Sequence, residues 1–343
     1  MRRQRALAAP PPDPFGEHRR GRLRARLQLL GGWFEFETDS ARLLRLVRAA
    51  YAGLPPRRLS VTAPRFRLKL VLTPPQPVRP TARDRSAPPP VRALAGGPIL
   101  CGAVEGAAFV TLSPQQRAGL IVVPHALLRH PYHIRYELLE FAVYVLAARA
   151  QRLVPLHAAC IGRGGRGVLV LGASGSGKST LVLQCVLAGL DFLAEDSVLV
   201  RPAGLLASGV ANFLHLRSDS LRFLDRPARA NVLRGSTVIR RRSGVKKLEV
   251  DLRAPAFRLA KGPLRICAVL FLSARPARSG RLLVPIRKTA VRERLAASQR
   301  YAAQQPGWKE FSSDVSGLPA YELRRGRHPR ESVEAVRELL PGS

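Results

Sequence analysis

Acidic residues are scarce in this chain: 23 Asp and Glu stand against 57 Lys and Arg, a formal net charge of +34 over 343 residues. Lysine is scarce as well. Only seven of the basic residues are Lys, and the fifty Arg are spread along the sequence, not gathered into one run with interleaved aromatics. A nucleic-acid binder is expected to show a clustered basic footprint, so nucleic acid is not the expected partner. An acidic protein or peptide suits this surface better. Four cysteines, Cys101, Cys160, Cys185 and Cys267, lie far apart and form no C-x-x-C pair. That excludes a sequence-recognisable zinc site or disulfide framework and points to a reducing, cytoplasmic compartment. No apolar run reaches the roughly 18 residues of a membrane span. The basic N-terminal stretch breaks into prolines too early for the apolar core of a signal peptide.

What is present is enough apolar material, 46% of the residues, for a folded protein long enough to hold two domains. Trp33 to Thr38 alternates like a strand, and Ser40 to Leu54 carries Leu43, Leu44, Val47, Tyr51 and Leu54 on one helical face. Arg65 to Leu72 alternates again, with Phe66, Leu68, Leu70 and Leu72 on one side. Pro74 to Pro90 holds seven prolines and reads as a loop excursion. Shorter strands are expected at 107–112 and 118–123, and a helix over Tyr136 to Ala150. The domain boundary is placed there, giving an α+β unit over 1–150 and a second unit over 151–343.

The second unit opens with a strand over Leu153 to Ile161, a glycine turn at 162–167 and a strand over Gly167 to Leu171. The two strands are expected to form an antiparallel hairpin. Immediately after it stands Gly172-Ala-Ser-Gly-Ser-Gly-Lys-Ser-Thr180, a complete G-x-x-x-x-G-K-[ST] loop, followed by the apolar helical stretch Ser179 to Leu190, which Gly189 should end. A triphosphate needs many donors at close range, so the backbone itself must approach it, which Gly172, Gly175 and Gly177 allow. Gly172, Ala173, Ser174, Gly175, Ser176, Gly177, Lys178, Ser179 and Thr180 are therefore the expected ATP-binding residues. Lys178 supplies charge to the β- and γ-phosphates and Ser179 a hydroxyl for Mg²⁺.

Seventeen residues after Lys178, Phe192-Leu-Ala-Glu-Asp-Ser-Val-Leu-Val200 sets Glu195 and Asp196 inside what reads as one apolar strand. Two acids there are costly unless a cation satisfies them, and nucleotide-bound Mg²⁺ is the obvious one. An ATP-binding-cassette protein would carry an LSGGQ-type signature after the loop, and none is present. Further helices are expected at 289–303 and 330–340, with a strand at 267–272; no internal repeat is found.

His157-Ala-Ala-Cys160, Gly167-Val-Leu-Val-Leu-Gly172, the glycine loop and Gly189-Leu-Asp-Phe-Leu-Ala-Glu-Asp-Ser-Val198 together resemble HPr kinase/phosphorylase and the wider group of HPr-kinase-related proteins. His130-Pro-Tyr132 and Tyr136-Glu-Leu-Leu-Glu140 resemble the lead-in of the related group. The resemblance implies a P-loop kinase domain of the HPr kinase/PEP carboxykinase-like type with a mixed sheet, preceded by a smaller α+β domain. It implies an ATP- and Mg²⁺-dependent kinase acting on a hydroxyl, such as a Ser of a protein or peptide, and assembly into oligomers. Lys178, Glu195, Asp196 and His157 become the catalytic candidates, and Ser179, Asp196 and Glu195 the metal ligands. Ser179 and Asp196 are the first choice to hold Mg²⁺, with Glu195 orienting or deprotonating the acceptor; the reverse assignment of the two acids stays open. Glu195 stands where the bacterial HPr kinases usually have Asp. The Glu-x-Arg-Gly-Leu-Gly signature of true HPr kinase/phosphorylases is absent, Val232-Leu-Arg-Gly235 being the nearest string, which argues against HPr itself as the substrate.

Lys246 and Lys247, after the basic stretch Arg240 to Arg242, are candidates to stabilise transferred charge or receive an acidic substrate, although a solvated turn is the simpler account of them. His130 and His133 have no matching ligand set. Two other functions compete with the kinase reading: an ATP-binding regulator or scaffold with little transfer activity, and a small-metabolite P-loop kinase.

Overall fold

The computed structural model describes residues 22–75, 91–96, 99–104, 108–210, 212–241, 243–277 and 280–340. Most of the proline-rich stretch expected as a loop, 76–90, lies outside these residues. Seven strands, β1 (Leu23–Leu29), β2 (Gly32–Thr38), β3 (Arg65–Thr73), β4 (Val91–Gly96), β5 (Ile99–Val104), β6 (Ala108–Ser113) and β7 (Ala118–Pro124), form one sheet in the order β1-β2-β3-β7-β6-β5-β4. The alternation read from the sequence decides its buried face: Phe34, Phe36, Phe66, Leu68 and Leu70 are all nearly inaccessible. Phe34 and Phe66 stack with centroids 4.4 Å apart. Helix α1 (Ala41–Tyr51) packs there through Leu43, Leu44, Val47 and Tyr51 and is capped by Ser40, whose hydroxyl accepts from the Leu43 amide at 3.3 Å. A short α2 (Pro131–His133), a π-helical segment (Ile134–Glu140) and α3 (Phe141–Gln151) run as one rod out of this sheet, ending at Arg152 in the left-handed region.

Strands β8 (Val154–Leu156), β9 (Ala159–Arg163), β10 (Arg166–Leu171), β11 (Asp191–Ala194), β12 (Val198–Arg201) and β13 (Leu206–Ser208) belong to a nine-stranded mixed sheet, which β17 (Leu264–Pro276), β18 (Leu283–Pro285) and β19 (Ala320–Arg325) complete. The main path runs β11-β9-β10-β17-β13-β12-β8, with β19 against β17 and β18 against β19. A three-stranded sheet, β14-β16-β15, is made by β14 (Phe213–Leu216), β15 (Thr237–Arg240) and β16 (Lys246–Asp251). Helix α4 (Lys178–Leu187) follows β10, and α5 (Arg226–Leu233), α6 (Lys288–Ser298), α7 (Trp308–Ser316) and α8 (Pro329–Glu338) complete the helices. The protein is thus a mixed α/β structure. No described helix is long and apolar enough to cross a membrane.

The expected hairpin is present: β9 and β10 pair antiparallel, with Gly162 opposite Gly167. Two expected strands, however, are each broken in two. The run 153–161 splits at His157 and Ala158 into β8 and β9, and the run 192–200 splits at Glu195 to Ser197 into β11 and β12. The breaks match, because β8 pairs with β12 and β9 with β11. The physical reason lies in the acids. Phe192 to Ala194 and Val198 to Val200 on either side of the break are all buried, so carboxylates continuing the ladder between them would be buried without partners; at a break they turn out of the ladder toward groups that satisfy them.

A residue between α1 and β3 braces this break. Arg57, 2% exposed, donates to the carbonyls of Gly209 and Leu193, and burial lowers its pKa to about 10. Carbonyls at the C-terminal end of α1 take donors from residues distant in sequence: Ala52 from Arg253 Nη1 at 3.1 Å and Ala50 from the Asn212 side-chain amide. Gly209 leaves no room, since a Cβ there would meet Ala194 Cβ at 2.6 Å and the Leu193 carbonyl oxygen at 2.7 Å. Gly209→Ala is therefore expected to push β11 aside and destabilise the fold by about 1–3 kcal/mol. A thermal midpoint equal to wild type would show that the strand yields freely.

Candidate functional site

The glycine loop lies between the end of β10 and the start of α4 and folds as the sequence demands. Gly175 and Gly177 have φ of +82° and +95°, which other residues rarely adopt, and open space lies above both. The Ser176 amide donates to the Ala173 carbonyl at 3.1 Å, closing the turn, while Ala173 and Ser174 are exposed on its outer side. Gly172 is needed for closeness, because a Cβ would meet Ser176 Oγ at 2.4 Å. That hydroxyl is buried with no partner. Gly177 caps α4 without a side chain, so no capping side chain competes for the first amides of the helix.

Lys178 is 6% exposed and held from three sides. Its Nζ lies 3.3 Å from His157 Nε2, 3.5 Å from the Gly172 carbonyl oxygen and 3.8 Å from Asp196 Oδ1. His157 stands in the break between β8 and β9, its backbone clamped by Gln299, whose Oε1 accepts from the His157 amide at 2.8 Å and whose Nε2 donates to its carbonyl at 3.1 Å. Partial desolvation, and then the Lys178 ammonium beside it, lowers the His157 pKa, which leaves Nε2 able to accept from Nζ.

Glu195 and Asp196 are neighbours in opposite circumstances. Glu195 is 1% exposed; the Ser179 hydroxyl donates to its Oε1 and the His215 amide to Oε2 at 3.0 Å. Burial, reinforced by the charge of Asp196, raises its pKa despite those donors. Asp196 is a third exposed and faces Lys178 on one oxygen and Arg241 Nη2, at 3.1 Å, on the other. Burial opposes its ionisation, but the Lys178 ammonium and the Arg241 guanidinium outweigh it and hold the carboxyl below its usual range. Thr180 points the other way, its hydroxyl 2.9 Å from Ser220 Oγ.

Several neighbours of this site carry no motif that sequence reading could have caught. His215, from β14, lies buried between Glu195 (Nδ1 to Oε2, 3.7 Å) and Glu249 (Nε2 to Oε1, 3.6 Å). Arg135 grips both oxygens of Glu249 at 2.9 and 2.7 Å. Tyr132 and Tyr136 set their rings 5.8 and 4.9 Å from His215. Arg135, Tyr136 and the half-buried Glu140 sit on the π-helical segment, a distortion that often marks functional sites. Burial and the Asp196 charge push Glu140 up to about 8. The sequence signals were His130-Pro-Tyr132 and the Tyr136 to Glu140 lead-in, whose spacing reads as ordinary α-helix. The basic stretch did contain Arg241, but not its aim. Lys247 is half-buried on the site face, and desolvation together with Arg241 lowers its pKa, whereas Lys246 is exposed. His130 and His133 share a ring contact at 5.9 Å, and His133 also lies 3.5 Å from Glu137.

Beside the loop, away from the acids, lies a cavity of about 340 Å³ bordered by Gly177, Thr180, Phe223, Arg324, Arg327 and His328. Phe223 and His328 meet edge to face with centroids 5.6 Å apart.

No family model and no curated protein matches the chain. Among solved structures it is similar to the Hpr(Ser) kinase/phosphatase from Coxiella burnetii, at 14% identity, over 54% of this chain and 94% of that one, with a TM-score of 0.26. A superposition that poor carries no argument about chemistry.

Proposed function

We propose that this protein is an ATP- and Mg²⁺-dependent kinase of the HPr-kinase-related type, passing the γ-phosphoryl group to a hydroxyl, of which a Ser of a protein or peptide is the simplest. Its catalytic unit would lie within residues 151–343, with the described part of residues 1–150 packed beside it. The observation that carries the proposal is the pair of unlike carboxylates beside one lysine: Glu195 buried on Ser179, Asp196 open beside Lys178. Phosphoryl transfer asks for positioning and neutralisation of charge, and for one ionised carboxylate accessible to the acceptor.

The residues fit Mg²⁺·ATP. The uncapped amides of α4, the open space over Gly175 and Gly177 and the buried, unpartnered Ser176 hydroxyl suit an anion with many acceptors. Among the described residues no three His, Cys, Asp or Glu converge as a metal site. A divalent cation would therefore sit between Ser179, Glu195 and the phosphates, the usual manner of Mg²⁺ with nucleotides. This supports the second of the two assignments left open by the sequence: Glu195 on the metal side, Asp196 on the acceptor side. Lys178 would neutralise the β- and γ-phosphates, and His157 would hold Lys178 in place. The cavity beside Thr180 has the size and aromatic lining for the nucleoside.

Single-turnover incubation with γ-labelled ATP, Mg²⁺ and a cytosolic extract tests this. Label is expected in a discrete protein or peptide, and Lys178→Ala is expected to lose it by about 10²-fold or more, as a preorganised charge at the reacting phosphate is removed. ATP binding without label on anything but water would instead support a regulator.

A further inference from the structure

Arg57 is a burden on the fold. Its side chain is the largest of those fully buried among the described residues, and its Nε and Nη2 find no partner there. No described carboxylate neutralises it; the groups that act on it are Tyr144 and Cys160. A buried cation in this condition lowers stability, and an apolar side chain of similar volume would pack better. What the engaged nitrogen, Nη1, does is hold backbone: it donates to the Leu193 carbonyl at 3.5 Å and to the Gly209 carbonyl.

Tyr144, on α3, makes the matching contact beyond the acids. Its hydroxyl donates to the Ser197 carbonyl at 3.1 Å and takes a hydrogen bond from the Val210 backbone. Gly209 and Val210 therefore lie against the break, tied at Leu193 through Arg57 and at Ser197 through Tyr144. Between those two ties stand Ala194, Glu195 and Asp196. We propose that Arg57 and Tyr144 are positioning residues of the transfer reaction, two clamps on the backbone either side of the acids that aim Glu195 at Ser179 and Asp196 at Lys178. This rests on the kinase reading above and adds what holds its carboxylates in place.

The break itself creates the need for clamps. In a continuous strand the ladder fixes the direction of each side chain, but Glu195 to Ser197 lie outside both β11 and β12. Their own partners cannot serve throughout the reaction, since Ser179 and Lys178 are the groups that Mg²⁺ and the phosphates would engage. The ties to Leu193 and Ser197 are made through carbonyls, away from the nucleotide, and persist when it binds. Misplacing a reacting group by about 1 Å can slow a reaction about 10²-fold, so a fold can retain a destabilising arginine for this purpose.

The test compares Arg57→Met, Arg57→Lys and Tyr144→Phe with wild type, all as full chains. It reads the single-turnover rate of label transfer from γ-labelled ATP in a cytosolic extract, the Mg²⁺ dependence of binding of a fluorescent ATP analogue, and the thermal midpoint. Arg57→Met and Tyr144→Phe are each expected to slow transfer by about 10–10²-fold and to raise the Mg²⁺ needed for half-maximal analogue binding, because Glu195 is no longer held toward the metal. Arg57→Met is expected to keep or raise the thermal midpoint, since it removes a buried cation with two unpartnered nitrogens, whereas loss of a mere brace would lower it. Arg57→Lys, which can still donate to one carbonyl, should recover part of the rate. Wild-type rate and Mg²⁺ dependence in both Arg57→Met and Tyr144→Phe overturn the inference, as does a loss of rate that tracks a lowered midpoint. A wild type that binds the analogue yet labels nothing overturns the kinase reading, and the Mg²⁺ shift in the variants then supports or overturns the clamps by itself.

Discussion

Asp196→Asn is expected to slow phosphoryl transfer by about 10²–10⁴-fold, the usual worth of a positioned proton acceptor, while Mg²⁺·ATP still binds. The amide keeps the shape of the carboxylate and one of its two polar ends still faces Lys178, 3.8 Å away, but it cannot take a proton and has only one oxygen to share between Lys178 and Arg241. Because Lys178 and Arg241 hold Asp196 below the usual carboxylate range, it stays ionised through neutral pH and its contribution should persist well into mild acid. Glu195→Gln should behave differently. The His215 amide would still find the one remaining oxygen and the Ser179 hydroxyl could turn to accept from the new NH2, but the charge opposite the metal is gone, so the concentration of Mg²⁺ needed for half-maximal rate should rise. Measuring kcat and the Mg²⁺ dependence of both variants separates the roles. If Asp196→Asn shifts the Mg²⁺ requirement and Glu195→Gln takes the rate, the two assignments change places.

The parts of this protein that a local pattern encodes were legible in the sequence. Alternation over Trp33–Thr38 and Arg65–Leu72 announced β2 and β3, the 3.6-residue recurrence of Leu43, Leu44, Val47 and Tyr51 announced α1, and the β9–β10 hairpin followed from its glycine turn. The glycine loop specified its own neighbours, Lys178 and Ser179. What escaped was set by contacts distant in sequence. Two apolar runs read as continuous strands, because nothing local says that Glu195 will leave its ladder for Ser179 and His215, or that His157 will be clamped by Gln299, far along the chain. The π-helical segment was unreadable for another reason: it carries Arg135, whose partner Glu249 lies more than a hundred residues on, and no 3.6-residue pattern records such a contact.

That last contact carries the largest expected effect on stability. Glu249→Ala is expected to destabilise the protein by about 3–5 kcal/mol, because Arg135 would be left as a buried cation without its partner. The side chains of Arg135 and Glu249 are 11% and 6% exposed, and two donor–acceptor distances under 3 Å tie them. Removing both charges together should cost much less: Arg135→Met with Glu249→Leu fills the space with apolar atoms and leaves neither ion stranded, so the double variant should be more stable than Glu249→Ala alone. Its rate, in contrast, should not recover, since His215 would have lost the carboxylate on its far side and with it the ordering of Glu195.

Acid should dissolve the same contribution in a defined window. Burial raises the Glu249 pKa, but the His215 imidazole and the Arg135 guanidinium outweigh it and leave the folded value below the ordinary one. A depressed carboxylate stabilises the fold fully above its unfolded pKa, about 4.3 for Glu, and loses that stabilisation as pH falls through the folded value. The stability gap between wild type and Glu249→Gln should therefore hold steady from neutral pH to about 5 and close only below about 4. A gap that closes near neutrality would mean that the proton enters elsewhere in the cluster, with Glu140, pushed up to about 8 beside Asp196, the group placed to take it.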